Sequence, residues 1–79
     1  MSEQQIFAKI VELITKQMSL KNANITMESN LVKDLGADSV DLVGSVMTIE
    51  DVFGIAIPDE DLESIVTVGD VVKVVAKNL

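Results

Sequence analysis

The sequence predicts an all-α fold: a four-helix bundle of three longer helices and a short third helix, with a long loop between helices I and II. Apolar residues recur at three- and four-residue intervals in the first, central and last segments, and residues able to cap a helix stand before each. Between the first two helices, from Ser19 to Asp38, that periodicity fails and polar residues cluster. At 79 residues the chain is expected to form one domain, 1–79, near the size at which a single core is only marginally stabilising.

Ser2 and Gln5 have the spacing of a reciprocal cap and place the first helix from about Glu3 to Met18. Phe7, Ile10, Val11, Ile14 and Met18 form its apolar stripe, with Lys9, Glu12 and Lys16 outside it. The long loop is expected to be pinned to the core by Ile25, Leu31 and Leu35, and a loop of that length usually has a job. Gly36 permits a turn that a side chain would resist, after which Asp38 or Ser39 can cap the second helix.

The second helix should run from about Ser39 to Phe53, and its apolar residues cover roughly half the circumference, more than one core stripe requires. Leu42, Val46, Ile49 and Phe53 face inward with Val43 at the edge, whereas Val40 and Met47 lie further round, either as a docking surface or as the rim of the core. Gly54 ends this helix, Ile55-Ala56-Ile57 is extended, and Pro58 at a first helical position opens the short third helix through Asp59, Glu60, Asp61, Leu62 and Ile65. The valine-rich end has strand propensity. Yet Val68, Val71, Val72 and Val75 keep helical register, and Thr67 with Asp70 supplies a cap, so a fourth helix is predicted.

Thirteen carboxylates against six lysines give a net charge of -7, which disfavours nucleic acid and anionic membrane surfaces and favours basic protein partners. Without cysteine or histidine the chain has no thiolate, no neutral-pH proton shuttle and no ordinary zinc ligand set, so an enzyme is not expected. The carboxylates lack the regular loop spacing and glycine of a calcium-binding hand. They read most simply as a solvated helix face. The opening Met-Ser-Glu-Gln-Gln has no targeting pattern and no apolar run approaches membrane-spanning length, so a cytoplasmic location is expected, and the chain is expected to be a monomer.

Several short pieces occur in order: Ile25-Thr26 and Leu31, then Asp34-Leu35-Gly36-Ala37-Asp38-Ser39-Val40, then Met47, Glu50, Asp51 and Phe53, then Ile57-Pro58-Asp59-Glu60, and finally Thr67-Val68. Together with the first amphipathic helix, this order resembles the acyl carrier protein family over nearly the whole chain. The resemblance implies that Ser39 receives a 4'-phosphopantetheine arm from coenzyme A through a magnesium-dependent phosphopantetheinyl transferase (a holo-carrier synthase). It further implies that acyl groups travel as thioesters on that arm between acyl-transferring and chain-elongating enzymes of fatty acid or related lipid or polyketide biosynthesis.

A phosphodiester on Ser39 suits a helix N-terminus, where unsatisfied N–H groups favour an anion. The competing interpretation is an acidic helical protein–protein interaction module in which Ser39 is merely a structural cap. For a carrier, Asp38, Val40, Asp41, Met47, Glu50, Asp51, Asp59 and Glu60 are the expected partner-recognition residues, with Asp61 a further steering acid. Leu31, Val43, Val46, Ile49, Ile57, Leu62, Ile65, Val71 and Val75 form either a filled hydrophobic core or, as the resemblance implies, the lining of an acyl pocket opened between the second and third helices. Val40 replaces the usual leucine, Gly44 and Val52 stand where glutamate is common, and Ser45 stands where an aliphatic residue is usual. These departures bear on partner choice and point toward a specialised carrier. The absence of Gly-Gly-His before the serine argues against a peptidyl carrier.

Overall fold

Four helices follow one another along the chain: α1 (Glu3–Met18), α2 (Ser39–Phe53), α3 (Asp59–Glu63) and α4 (Val68–Asn78). They belong to a computed structural model that describes residues 1–18 and 24–79; the 19–23 portion of the expected loop lies outside the described residues. The all-α prediction therefore holds.

The predicted cap opens α1: the Ser2 N–H donates to Gln5 Oε1 at 2.8 Å and the Gln5 N–H to Ser2 Oγ at 3.2 Å. Its buried face is Ile6, Ile10, Leu13 and Ile14, with Phe7 and Met18 half-buried. Ile6 and Leu13 thus belong to the core, and the expected stripe through Val11 is rotated toward them. The reason is tertiary: α1 packs against both α4 and α2, so its buried face is set by two neighbours.

The valine-rich end is helical, and Val68, Val71, Val72, Val74 and Val75 are all buried. A β-branched residue gives up less than about 0.7 kcal/mol of helix propensity, whereas burying its side chain contributes roughly 1.5–3 kcal/mol. Burial decides. The long loop has its job here too, because it caps this helix. The Val68 N–H donates to the Ser29 carbonyl at 3.0 Å and the Gly69 N–H to the Met27 carbonyl at 2.8 Å. Thr67 and Asp70 form the predicted capping box, with Asp70 Oδ2 accepting from the Val66 and Thr67 N–H groups, each at 3.0 Å. First-turn amides that would otherwise be orphaned are satisfied in this way. Leu31 is buried as expected and Ile25 and Leu35 are half-buried, holding the loop on the core.

The third helix is shorter than the sequence suggested. Pro58 occupies the cap position, α3 ends at Glu63, and Ile65 lies beyond it in a turn, its N–H donating to the Leu62 carbonyl at 3.2 Å. Asp61 requires a correction: only 8% exposed, it accepts from Lys77 Nζ at 3.0 Å and, more weakly, from Asn78 Nδ2 at 3.4 Å. The Lys77 hydrogen bond holds this carboxyl below its usual range, outweighing the burial that opposes it. Asp61 ties α3 to the end of α4 and is not a steering acid.

Gly69 is set by close approach: a Cβ there would stand 2.9 Å from the Met27 carbonyl oxygen, a backbone atom that cannot rotate away. Gly69→Ala is expected to lower the unfolding free energy by about 1–2 kcal/mol in chemical denaturation despite alanine's better helix propensity. An unchanged or raised midpoint would contradict this packing. The Asp70 carboxyl sits below its ordinary value chiefly through the Thr67 and Val66 N–H groups. A lowered folded value stabilises above the ordinary carboxylate range, and that contribution is lost as pH falls through the lowered value. Asp70→Asn is therefore expected to cost up to about 1 kcal/mol at neutral pH, with the gap to the parent closing below about pH 4. A gap independent of pH in a denaturation series would count against it.

Candidate functional site

Residues 30–35 make one helical turn, pinned by Asn30 Oδ1 accepting from the Val32 and Lys33 N–H groups at 3.0 and 2.9 Å. Gly36 ends it at φ 74, its N–H donating to the Val32 carbonyl at 3.0 Å while the Ala37 N–H donates to the Leu31 carbonyl at 2.9 Å. The bond from the Gly36 N–H to the carbonyl four residues back is an αL stop, and the left-handed glycine it needs explains Gly36. Leu31 and Ala37, the two residues joined across the stop, are both buried. The chain leaves this knot in extended conformation at Asp38 and turns into α2.

The start of α2 is closed by a carboxylate pair. Asp38 Oδ1 accepts from the Asp41 N–H at 2.8 Å, and Asp41 Oδ2 accepts from the Asp38 N–H at 3.3 Å. Asp38 is the cap, so the interpretation of Ser39 as the structural cap is overturned. Ser39 is instead the first helical residue and is exposed. Among the described residues its hydroxyl has no hydrogen-bond partner, and the first-turn N–H groups of Ser39 and Val40 are left for an incoming acceptor.

Beyond Ser39, α2 presents an apolar strip to solvent: Val40 is 76% exposed, Val43 60% and Met47 61%. Asp51, Asp59 and Glu60 are exposed as well. Glu50 is half-buried and partly engaged, its Oε2 accepting from the Ile57 N–H at 2.9 Å. At Gly44 the close approach comes from within: an added Cβ would lie 2.6 Å from Gln17 Nε2 of α1.

Behind the strip lies a cavity of about 300 Å³ reached from the α2 side, within the usual range for small-molecule pockets. Leu31, Val43, Val46, Ile49, Ile57, Leu62, Ile65 and Val71 line it as expected, together with Ile14, Met18, Leu42, Ser45, Met47 and Glu50. Val75 does not. It is fully buried in the core, on the segment of α4 packed against α1. Leu42, Val46, Ile49 and Phe53 face inward on α2 as expected, Ile49 buried and the other three half-buried against the core, and Ser45 is buried beside them. Among the described residues no His, Cys, Asp or Glu group is arranged to hold a metal ion, and no helix is long and apolar enough to cross a membrane.

The family described as phosphopantetheine attachment site matches residues 8–75. An acyl carrier protein of Helicobacter acinonychis is 51% identical over 73 residues, covering 92% of this chain and 94% of the relative. The acyl carrier protein of Thermotoga maritima is 44% identical over 78 residues, 99% of this chain and 96% of its own. The chain belongs to the acyl carrier protein family. A solved structure from Mycobacterium tuberculosis, described as a candidate acyl carrier protein, superposes with a TM-score of 0.86 at 38% identity over 91% of this chain and 96% of its own.

Acyl carrier proteins are carriers rather than catalysts, and the domain is the place where 4'-phosphopantetheine attaches covalently. The residues present fit that group: an exposed hydroxyl and two uncommitted backbone donors stand at the N-terminus of α2, the helix that also lines the apolar cavity.

Proposed function

We propose that Ser39 is the residue carrying the 4'-phosphopantetheine arm, and that this acyl carrier protein delivers acyl intermediates to enzymes of fatty acid or related lipid or polyketide biosynthesis. The observation that carries the reading is the division of labour at α2: Asp38 and Asp41 close the helix, leaving the Ser39 hydroxyl exposed and uncommitted. In attachment, Ser39 Oγ gives its proton to the transferase and bonds to phosphorus of coenzyme A as the nucleotide portion departs. The helix N-terminus then stabilises the phosphodiester anion beside Asp38 and Asp41, whose carboxylates are turned onto backbone amides. When bound, the arm supplies the terminal thiol that holds acyl groups as thioesters, which a chain without cysteine cannot provide.

Docking is assigned to the strip of Val40 and Met47 with Asp38, Asp41, Glu50, Asp51, Asp59 and Glu60 around it. The transferase and the acyl-handling enzymes would meet it with basic patches, giving fast encounter and weak, salt-sensitive binding. The cavity behind α2 is the proposed shelter for the acyl chain. A cytoplasmic monomer meets these requirements.

Incubation with coenzyme A, magnesium and a broad-specificity phosphopantetheinyl transferase is expected to raise the intact mass by one arm, and Ser39→Ala to abolish the gain. An equal gain in Ser39→Ala would refute the assignment. Met47→Glu is expected to slow acyl transfer to a partner enzyme at least several-fold with little change in the unfolding midpoint, because Met47 is largely exposed. Unchanged transfer kinetics would remove Met47 from the docking surface.

A further inference from the structure

The cavity wall is aliphatic except at two places, and one of them has no structural duty. Glu50 uses a carboxylate oxygen on the Ile57 N–H. Ser45 is 8% exposed, lines the cavity and has no hydrogen-bond partner for its hydroxyl among the described residues. Thr48, on the same helix, satisfies its hydroxyl on the Gly44 carbonyl at 3.0 Å, so α2 does offer such bonds and Ser45 does not take one. No side-chain polar atom among the described residues is both sealed off and unpaired, so the unpaired Ser45 oxygen keeps some accessible surface, on a residue that lines the cavity. It stands about 9 Å along the α2 axis from Ser39.

A hydroxyl facing a hydrocarbon chain loses its water and gains nothing, whereas one facing another hydroxyl or a ketone recovers a hydrogen bond. We infer that Ser45 is a specificity residue that makes this cavity prefer acyl chains bearing a hydroxyl or keto oxygen over saturated chains of the same length. The inference rests on the Ser39 reading, since the arm delivers the chain.

The test uses the full chain loaded by the transferase from octanoyl-coenzyme A, or from hydroxyoctanoyl-coenzyme A with the hydroxyl on the third, fifth or seventh carbon. Intact mass reports loading. Thioester cleavage by hydroxylamine, normalised to the same coenzyme A thioester free in solution, reports shelter of the chain. For at least one hydroxy isomer the parent is expected to cleave about three- to tenfold more slowly than with octanoyl, the worth of one net hydrogen bond. Ser45→Ala should erase that difference and Ser45→Thr should keep it. Loading with equal cleavage of all four chains, or a preference that survives in Ser45→Ala, overturns the inference and leaves Ser39 as the attachment point. Failure of the parent to load overturns both.

Discussion

The reciprocal hydrogen bonds between Asp38 and Asp41 govern the chemistry available at the start of α2. A helix N-terminus exposes donors that some acceptor must meet, and a serine in that region is usually recruited to do so. Here a carboxylate one residue earlier does it, and the Asp41 carboxylate covers the Asp38 amide in return. Ser39 is thereby fixed in position by the backbone while its side chain stays free. The αL stop at Gly36, with Leu31 and Ala37 buried together, fixes where that helix begins.

The tightest packing and the cavity are divided unequally among the helices. Of the seven largest fully buried side chains among the described residues, six lie on α1 and α4, and Ile49 lies on α2. The α1–α4 side, with loop carbonyls capping α4, supplies most of the tight packing. The α2 helix stands over a cavity, so several of its apolar residues are half-buried. Asp61, bound to Lys77 and Asn78, ties α3 to the end of α4.

Much of this was legible in the residues. Ser2 with Gln5 and Thr67 with Asp70 were read as caps from spacing alone, because a capping box is local and its partners lie within one turn. The four helices and the turn at Gly36 were legible for the same reason. Errors came where a neighbour decided the outcome. The stripe of α1 turned toward Ile6 and Leu13 because α4 and α2 both press on it, and Asp61 was taken for a solvated acid because Lys77 is sixteen residues away. Ser45 was marked as unusual among aliphatic positions, but its opening onto a cavity depends on how α2 is held over α1, the loop and α4.

The chain by itself determined the helical periodicities, the caps, the acidic charge, the lack of any thiol and the family, since each depends on short-range spacing or on composition. Tertiary structure alone decided that Val43 and Met47 border a cavity while Val75 does not, and that Asp61 is a tether. Those outcomes depend on which side chains meet once distant segments are packed together, and helical spacing does not encode that distance.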